Sequence, residues 1–215
     1  ALVLADRDGA AYSNFRNNLR VLTKTLSITG IDFDFEPHGA YTADLGKVVT
    51  QFTTFCWDLG LLVTYCPYEE EQWWVDAQIR AVREVPDGTV AWWNVQCYPG
   101  QDNSPAGWLP LILQNASAMN VWYPAQFIVA GTSTTLTPSQ AQTQFSQWAE
   151  GAPGLVLGFV WQFGAMDGSV ASYMNAVTQG LANPSTTGWM PTCFSSTTSL
   201  AKLFFSSGAI SDSSP

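Results

Sequence analysis

Apolar residues along this chain change period repeatedly, and that change constrains the fold more than any other feature of the sequence. Over residues 12–28, Phe15, Leu19, Leu22 and Leu26 recur at helical spacing, and over 29–36 the pattern turns to alternation. Helical spacing returns over 42–58 with Leu45, Val48, Val49, Phe52 and Phe55, and "LLVTYCP" follows as a short apolar strand. The stretch "WWVDAQIRAVREV" predicts a helix through Val75, Ile79 and Val82, closed by the turn signal Pro86-Asp87-Gly88. "TVAWWNVQCY" predicts a strand, and "PAGWLPLILQNASAM" a helix that Pro110 opens or interrupts. "QFIVAGTST" predicts a strand, 138–151 a helix beginning at Pro138, "LVLGFVWQF" a strand and "SVASYMNAVTQGL" a closing helix. Such regular alternation predicts parallel strands with helices packed on the sheet. Five strands are clear and "ALVLAD" at the start is a weak sixth, whereas a closed barrel of the TIM type, (β/α)8, has eight. From Asn183 the pattern gives way to a Ser/Thr-rich tail, 183–215, with "SLAKLFF" as its one helix-like piece. The expected organisation is a partial barrel over 1–182 with this tail packed on it.

Within the strand 29–36, Asp32, Asp34 and Glu36 alternate with Phe33 and Phe35. Period two sends the three acids to one face and the two rings to the other. In a barrel the acids line the interior and the rings lie under the helices, with Glu36 at the C-terminal end, where barrel enzymes carry their chemistry. Three adjacent carboxylates cannot all ionise cheaply in a low dielectric, so one of them keeps a proton at neutral pH and serves as a proton source. A solvated acidic loop would not interleave phenylalanines. A calcium site would place its oxygen ligands on a Gly-containing loop rather than a strand.

The rest of the composition narrows the partner. Only eight Lys and Arg, unclustered, stand against 17 Asp and Glu, a net charge of -9 that argues against nucleic acid and favours a neutral or cationic ligand. No apolar run reaches membrane-spanning length, so no membrane role is expected. Ten Trp and seven Tyr supply flat amphipathic surface of the kind that stacks on sugars, although most of it should be core. Cys56, Cys66, Cys97 and Cys193 lack metal-ligand spacing, so they form two disulfides in any of three connectivities or remain buried thiols. No metal or other cofactor is expected. The one sequon, Asn115-Ala116-Ser117, falls in an expected helix and is not expected to be used. Ser, Thr, Asn and Gln filling the polar positions suit a secreted, extracellular protein. With no signal peptide ahead of Ala1, the chain reads as a processed form or a fragment.

"GIDFDFE" is similar to the DxxDxDxE signature of glycoside hydrolase family 18, the chitinases and endo-β-N-acetylglucosaminidases, and the chain most resembles the class III, hevamine-type chitinases. "VTYCPY" resembles the fifth barrel strand of that family. "WNVQCYPG" resembles its sixth, written VQFYN, with Gln96 and Tyr98 at the matching positions. "GFVWQF" resembles the eighth, whose tryptophan is Trp161 here. The likeness spans about residues 12–182. It implies an enzyme that cleaves β-1,4 bonds at N-acetylglucosamine, in chitin or N-glycan cores, by a substrate-assisted, configuration-retaining route. Glu36 is then the acid that protonates the glycosidic oxygen. Asp34 orients the acetamido N–H and exchanges a proton with Glu36, and Asp32 tunes Asp34. Tyr98 donates to the acetamido carbonyl, Gln96 helps hold that group, and Trp161 forms the floor under the distorted sugar. Ordinary core packing is the plain alternative for the aromatics, and His38 reads as a polar loop residue. The signature's first Asp is Thr29 here, which should affect tuning more than mechanism. The acidic strand is the family's fourth, so about three βα units, on the order of a hundred residues, are expected ahead of it. Those strands lie on a second chain or subunit, have been lost by cleavage or truncation, or are replaced by pairing between subunits. A sugar-binding, lectin-like protein without turnover is the rival reading.

Overall fold

The computed structural model describes residues 9–37, 40–98, 104–166 and 168–182. "ALVLAD", His38, Cys193 and the 183–215 tail lie outside the described residues. In order, the elements are α1 (Ala10–Thr25), β1 (Gly30–Phe33), α2 (Ala43–Asp58), β2 (Leu62–Tyr65), α3 (Glu71–Glu84) and β3 (Val90–Gln96). Then come α4 (Pro105–Asn115), the single turn α5 (Pro124–Phe127), β4 (Ile128–Ser133), α6 (Pro138–Gly151), β5 (Leu157–Trp161) and α7 (Val170–Leu181), with a 3-10 turn at Phe163–Ala165 between the last two.

Local chemistry sets these boundaries. Thr42 caps α2, its side chain accepting from the Leu45 amide at 3.3 Å. Thr137 and Gln140 form a reciprocal capping box at the start of α6, so that helix begins at Pro138 as its sequence predicts. Pro110 neither opens nor interrupts α4. Pro105 opens the helix, and Pro110 sits inside it while Trp108, Leu109 and Ile112 anchor the buried face. The lost backbone bond is tolerated because that face is held by packing. Ser27, at φ 53°, reverses the chain after α1 and leads into β1.

The five strands form one parallel sheet in the order β1-β2-β3-β4-β5, so each strand pairs with the next in sequence. This order contains no reversal, and right-handed crossovers then place every helix on the same face. The contacts agree. Phe33 packs on Phe52 of α2 with ring centroids 4.5 Å apart, and Tyr65 on Trp74 of α3 at 5.2 Å. Trp93 meets Trp108 of α4 edge-on at 6.0 Å and donates its Nε1–H to Gln78 of α3 at 2.8 Å. Further along, Thr132 donates to Gln144 of α6 at 2.6 Å. The core therefore lies between sheet and helices, with Trp74, Trp93, Trp108, Tyr65, Phe55 and Phe145 wholly enclosed.

Among the described residues no helix covers the other face of the sheet. Mixed α/β architecture with this strand order is compatible with an arc of an α/β barrel. The spacing of Phe15, Leu19 and Leu22 does form α1, but the apolar stripe is only partly covered, since Leu22 is 49% and the C-cap Leu26 60% exposed. Helix α1 docks through Tyr12 and Phe15, whose rings reach Phe55 at 5.5 and 5.3 Å, and no described element covers the rest of its apolar face. Among the described residues no helix is long and apolar enough to cross a membrane.

Candidate active site

The helix-free face of the sheet gathers the polar strand residues. Asp32 pairs in register with Thr64, which places β1's inward side chains beside those of β2 and β3. The ladder of β1 ends at Phe33, and the chain runs on through Asp34, Phe35 and Glu36 with exposure still alternating. What holds that alternation is aromatic: Phe35 stacks on Trp73 of α3 at 6.1 Å with the planes 7° apart. The acids face the open side and the phenylalanines the helices.

Two tiers of hydrogen bonds hold the acids. In the lower tier, Asp32 Oδ1 accepts from Thr64 Oγ1 and from Asn94 Nδ2, the latter at 3.0 Å. In the upper tier, the side-chain amide of Gln96 donates to Asp34 Oδ1 at 3.0 Å, Glu36 Oε1 at 2.8 Å and the Cys66 carbonyl at 3.2 Å. Two N–H bonds thus serve three acceptors. Gln96 is 6% exposed, so this amide is a fixed clamp rather than a surface contact. Sequence reasoning placed Gln96 on the acetamido group. Here its donors are already committed to the two carboxylates.

Asp34 is the carboxyl pushed toward its protonated form. Its side chain keeps an open flank, yet enough protein surrounds the carboxyl that desolvation is the main cause raising it to about 6. The charges of Glu36 and Asp32 and a hydrogen bond with Glu36 add to the rise, and the Gln96 amide partly offsets it.

Tyr98 follows β3 and lies within the field of Asp34 and Glu36; burial above all pushes its phenol far up, so it is a hydrogen-bond donor at every working pH. Its ring lies 5.5 Å from that of Trp161 at 30°, and edge-on to Phe159 at 6.3 Å. Trp161, at the end of β5, is 43% exposed on the open face. The far end of the Phe159 ring lies over Gly131, where a Cβ would come within 2.1 Å of it. Tyr41 borders the acids from another side, held edge-on to Trp73 at 5.0 Å; burial, then Glu69 and Glu36, raise its phenol to about 12.

The structure therefore brings Asp32, Asp34, Glu36, Gln96, Tyr98 and Trp161 to one face. Thr64, Asn94 and Tyr41 are neighbours that the sequence reading did not single out. Their one sequence signal was a polar residue at an inward position of an otherwise apolar strand, as in "WNVQ". Cys56, Cys66 and Cys97 are buried free thiols, so of the two cysteine alternatives the thiol holds for these three. Among the described residues no group of three His, Cys, Asp or Glu is placed to hold a metal ion. Comparison with protein-family models, curated proteins and solved structures finds no match for the chain.

Proposed function

We propose that this chain is the catalytic part of a secreted glycoside hydrolase of the family 18 type, cleaving β-1,4 bonds at N-acetylglucosamine in chitin or chitooligosaccharides. The observation that carries the reading is the Asp34–Glu36 pair, bridged by one amide and sharing a raised proton at the C-terminal end of a parallel sheet. Such a pair suits substrate-assisted hydrolysis. Glu36 protonates the glycosidic oxygen, and the bond from that oxygen to the anomeric carbon breaks. The substrate's own acetamido oxygen attacks that carbon, its N–H held by Asp34 and its carbonyl by Tyr98. Water then opens the cyclic intermediate, and Glu36 takes the proton back. Trp161, exposed and stacked beside Tyr98, offers the sugar a floor.

In this reading the five strands are part of a (β/α)8 barrel, and three further βα units from outside the described residues complete it. The test is Glu36→Gln, assayed on chitooligosaccharides and on an N-glycan core. Hydrolysis should fall by about 10²–10⁴ while binding persists. Cleavage confined to the N-glycan would make the protein an endo-β-N-acetylglucosaminidase. A wild-type protein that binds oligosaccharide without turnover, and whose binding ignores the substitution, would be lectin-like.

A further inference from the structure

The lower tier does not touch the place where a sugar would react, yet it is the more completely built of the two. Thr64 is 6% and Asn94 3% exposed, and both donate to a single oxygen, Asp32 Oδ1. The Asn94 amide has its orientation fixed, because Trp92 donates its Nε1–H to Asn94 Oδ1 at 3.0 Å, leaving Nδ2 to face Asp32. Trp92 and Asn94 share the inward face of β3 with Gln96, two residues apart each time. Two donors from two different strands fix the plane of the Asp32 carboxylate and fill the lone pairs of Oδ1. That oxygen already accepts twice.

We propose that Thr64 and Asn94, the latter aimed by Trp92, are positioning residues that hold Asp32 still as an acceptor and so confine the mobile proton to Asp34 and Glu36. The proposal rests on the hydrolase reading for its purpose, but not for its test. One proton moves, along the Asp34–Glu36 hydrogen bond, and no other bond is made or broken. The remaining titratable groups facing the pair do not compete for it. Cys66 from the end of β2, Tyr98 from the end of β3, and Tyr41 ahead of α2 are all held protonated, by burial first. Glu69 and Glu70 act on Tyr41 at the rim. If Asp32 is freed, its carboxylate can turn to Asp34 and share that proton, drawing it away from Glu36.

The experiment compares Thr64→Val, which removes the hydroxyl donor, with Thr64→Ser, which keeps it, and with Asn94→Ala and Trp92→Phe. Each folded variant is followed by carboxyl-carbon NMR titration of Asp34 and by the pH profile of chitooligosaccharide hydrolysis. Thr64→Val and Asn94→Ala should raise the Asp34 midpoint by about half a unit or more and lower kcat about tenfold with KM little changed. Thr64→Ser should restore both. Trp92→Phe, which leaves both donors in place, should give a smaller shift of the same sign, and it keeps the comparison alive if a core substitution unfolds. An unmoved midpoint in folded Thr64→Val and Asn94→Ala overturns the proposal, as does a Thr64→Ser protein that behaves like Thr64→Val. If the wild type cleaves no sugar, the hydrolase reading fails while the NMR titration still decides the positioning role.

Discussion

A carboxyl that ionises near 6 has consequences at the scale of one residue. The proton that Asp34 shares with Glu36 is the one the acid must deliver to the glycosidic oxygen in the mechanism proposed, so hydrolysis should decline as pH rises through about 6. A profile flat from mildly acidic to alkaline pH would contradict that role. Stability moves in the same direction. The folded protein binds this proton more tightly than the unfolded chain, whose Asp titrates near 3.8. Stability contributed by Asp34 is thus greatest below that value and is lost as pH rises to about 6. Asp34→Asn should flatten the fall, as read from denaturant midpoints across that window. The thiols give a separate residue-scale prediction. Burial raises Cys56 and Cys97 to about 12 and Cys66 further, so all three should resist a thiol reagent in the native protein and react on unfolding.

Among the elements, the α6–α7 pair and the β4–β5 pair are extensively packed. A Cβ on Gly180 would meet Phe145 Cβ at 2.5 Å and the Gln142 carbonyl at 2.7 Å, so Gly180→Ala must push α7 off α6. Gly131→Ala must displace the Phe159 ring and with it the support of Tyr98. Each should cost about 1–3 kcal/mol in unfolding experiments, and only Gly131→Ala should also lower hydrolysis. Thr137→Ala, which removes the capping box of α6, should cost about 1 kcal/mol. These elements were largely legible, because period and turn chemistry are local. The alternation that placed Asp32, Asp34 and Glu36 opposite Phe33 and Phe35 is the same alternation seen in the fold. Partnerships across strands were not legible. The pairing of β2 with β3 shifts register between Val63 and Tyr65, and that irregularity, invisible in either strand alone, accompanies the meeting of Thr64 and Asn94 at Asp32. Gln96 was found by its place in a motif, but its bond to two carboxylates depends on the same register.

For the molecule as a whole, charge and apolar surface are unevenly distributed. The acids stand at the C-terminal end of the strands, while Arg16, Arg20 and Lys24 line a cleft of 630 Å³ at the N-terminal end, beside Ile28 and Leu61. A field with this polarity draws cations toward the acid end. Leu22 and Leu26 on α1, and Val156 and Leu157 ahead of and within β5, are exposed near the two outer strands. Replacing Leu22 and Leu26 together by Lys should reduce self-association of this 215-residue chain, measured by sedimentation, without lowering its unfolding midpoint. Protein that stays monomeric before and after the substitution would show that this face is not sticky.

The sequential strand order also bears on how the chain acquires its shape. Each strand's partner is the next one along, so no strand must wait for a distant segment before it can pair. That order favours stepwise growth, one βα unit upon the last, in the direction of synthesis, although each parallel pairing must close a whole βα unit and is slow. At every step the newest strand presents an unpaired edge. The growing chain is therefore most prone to aggregate at its leading end.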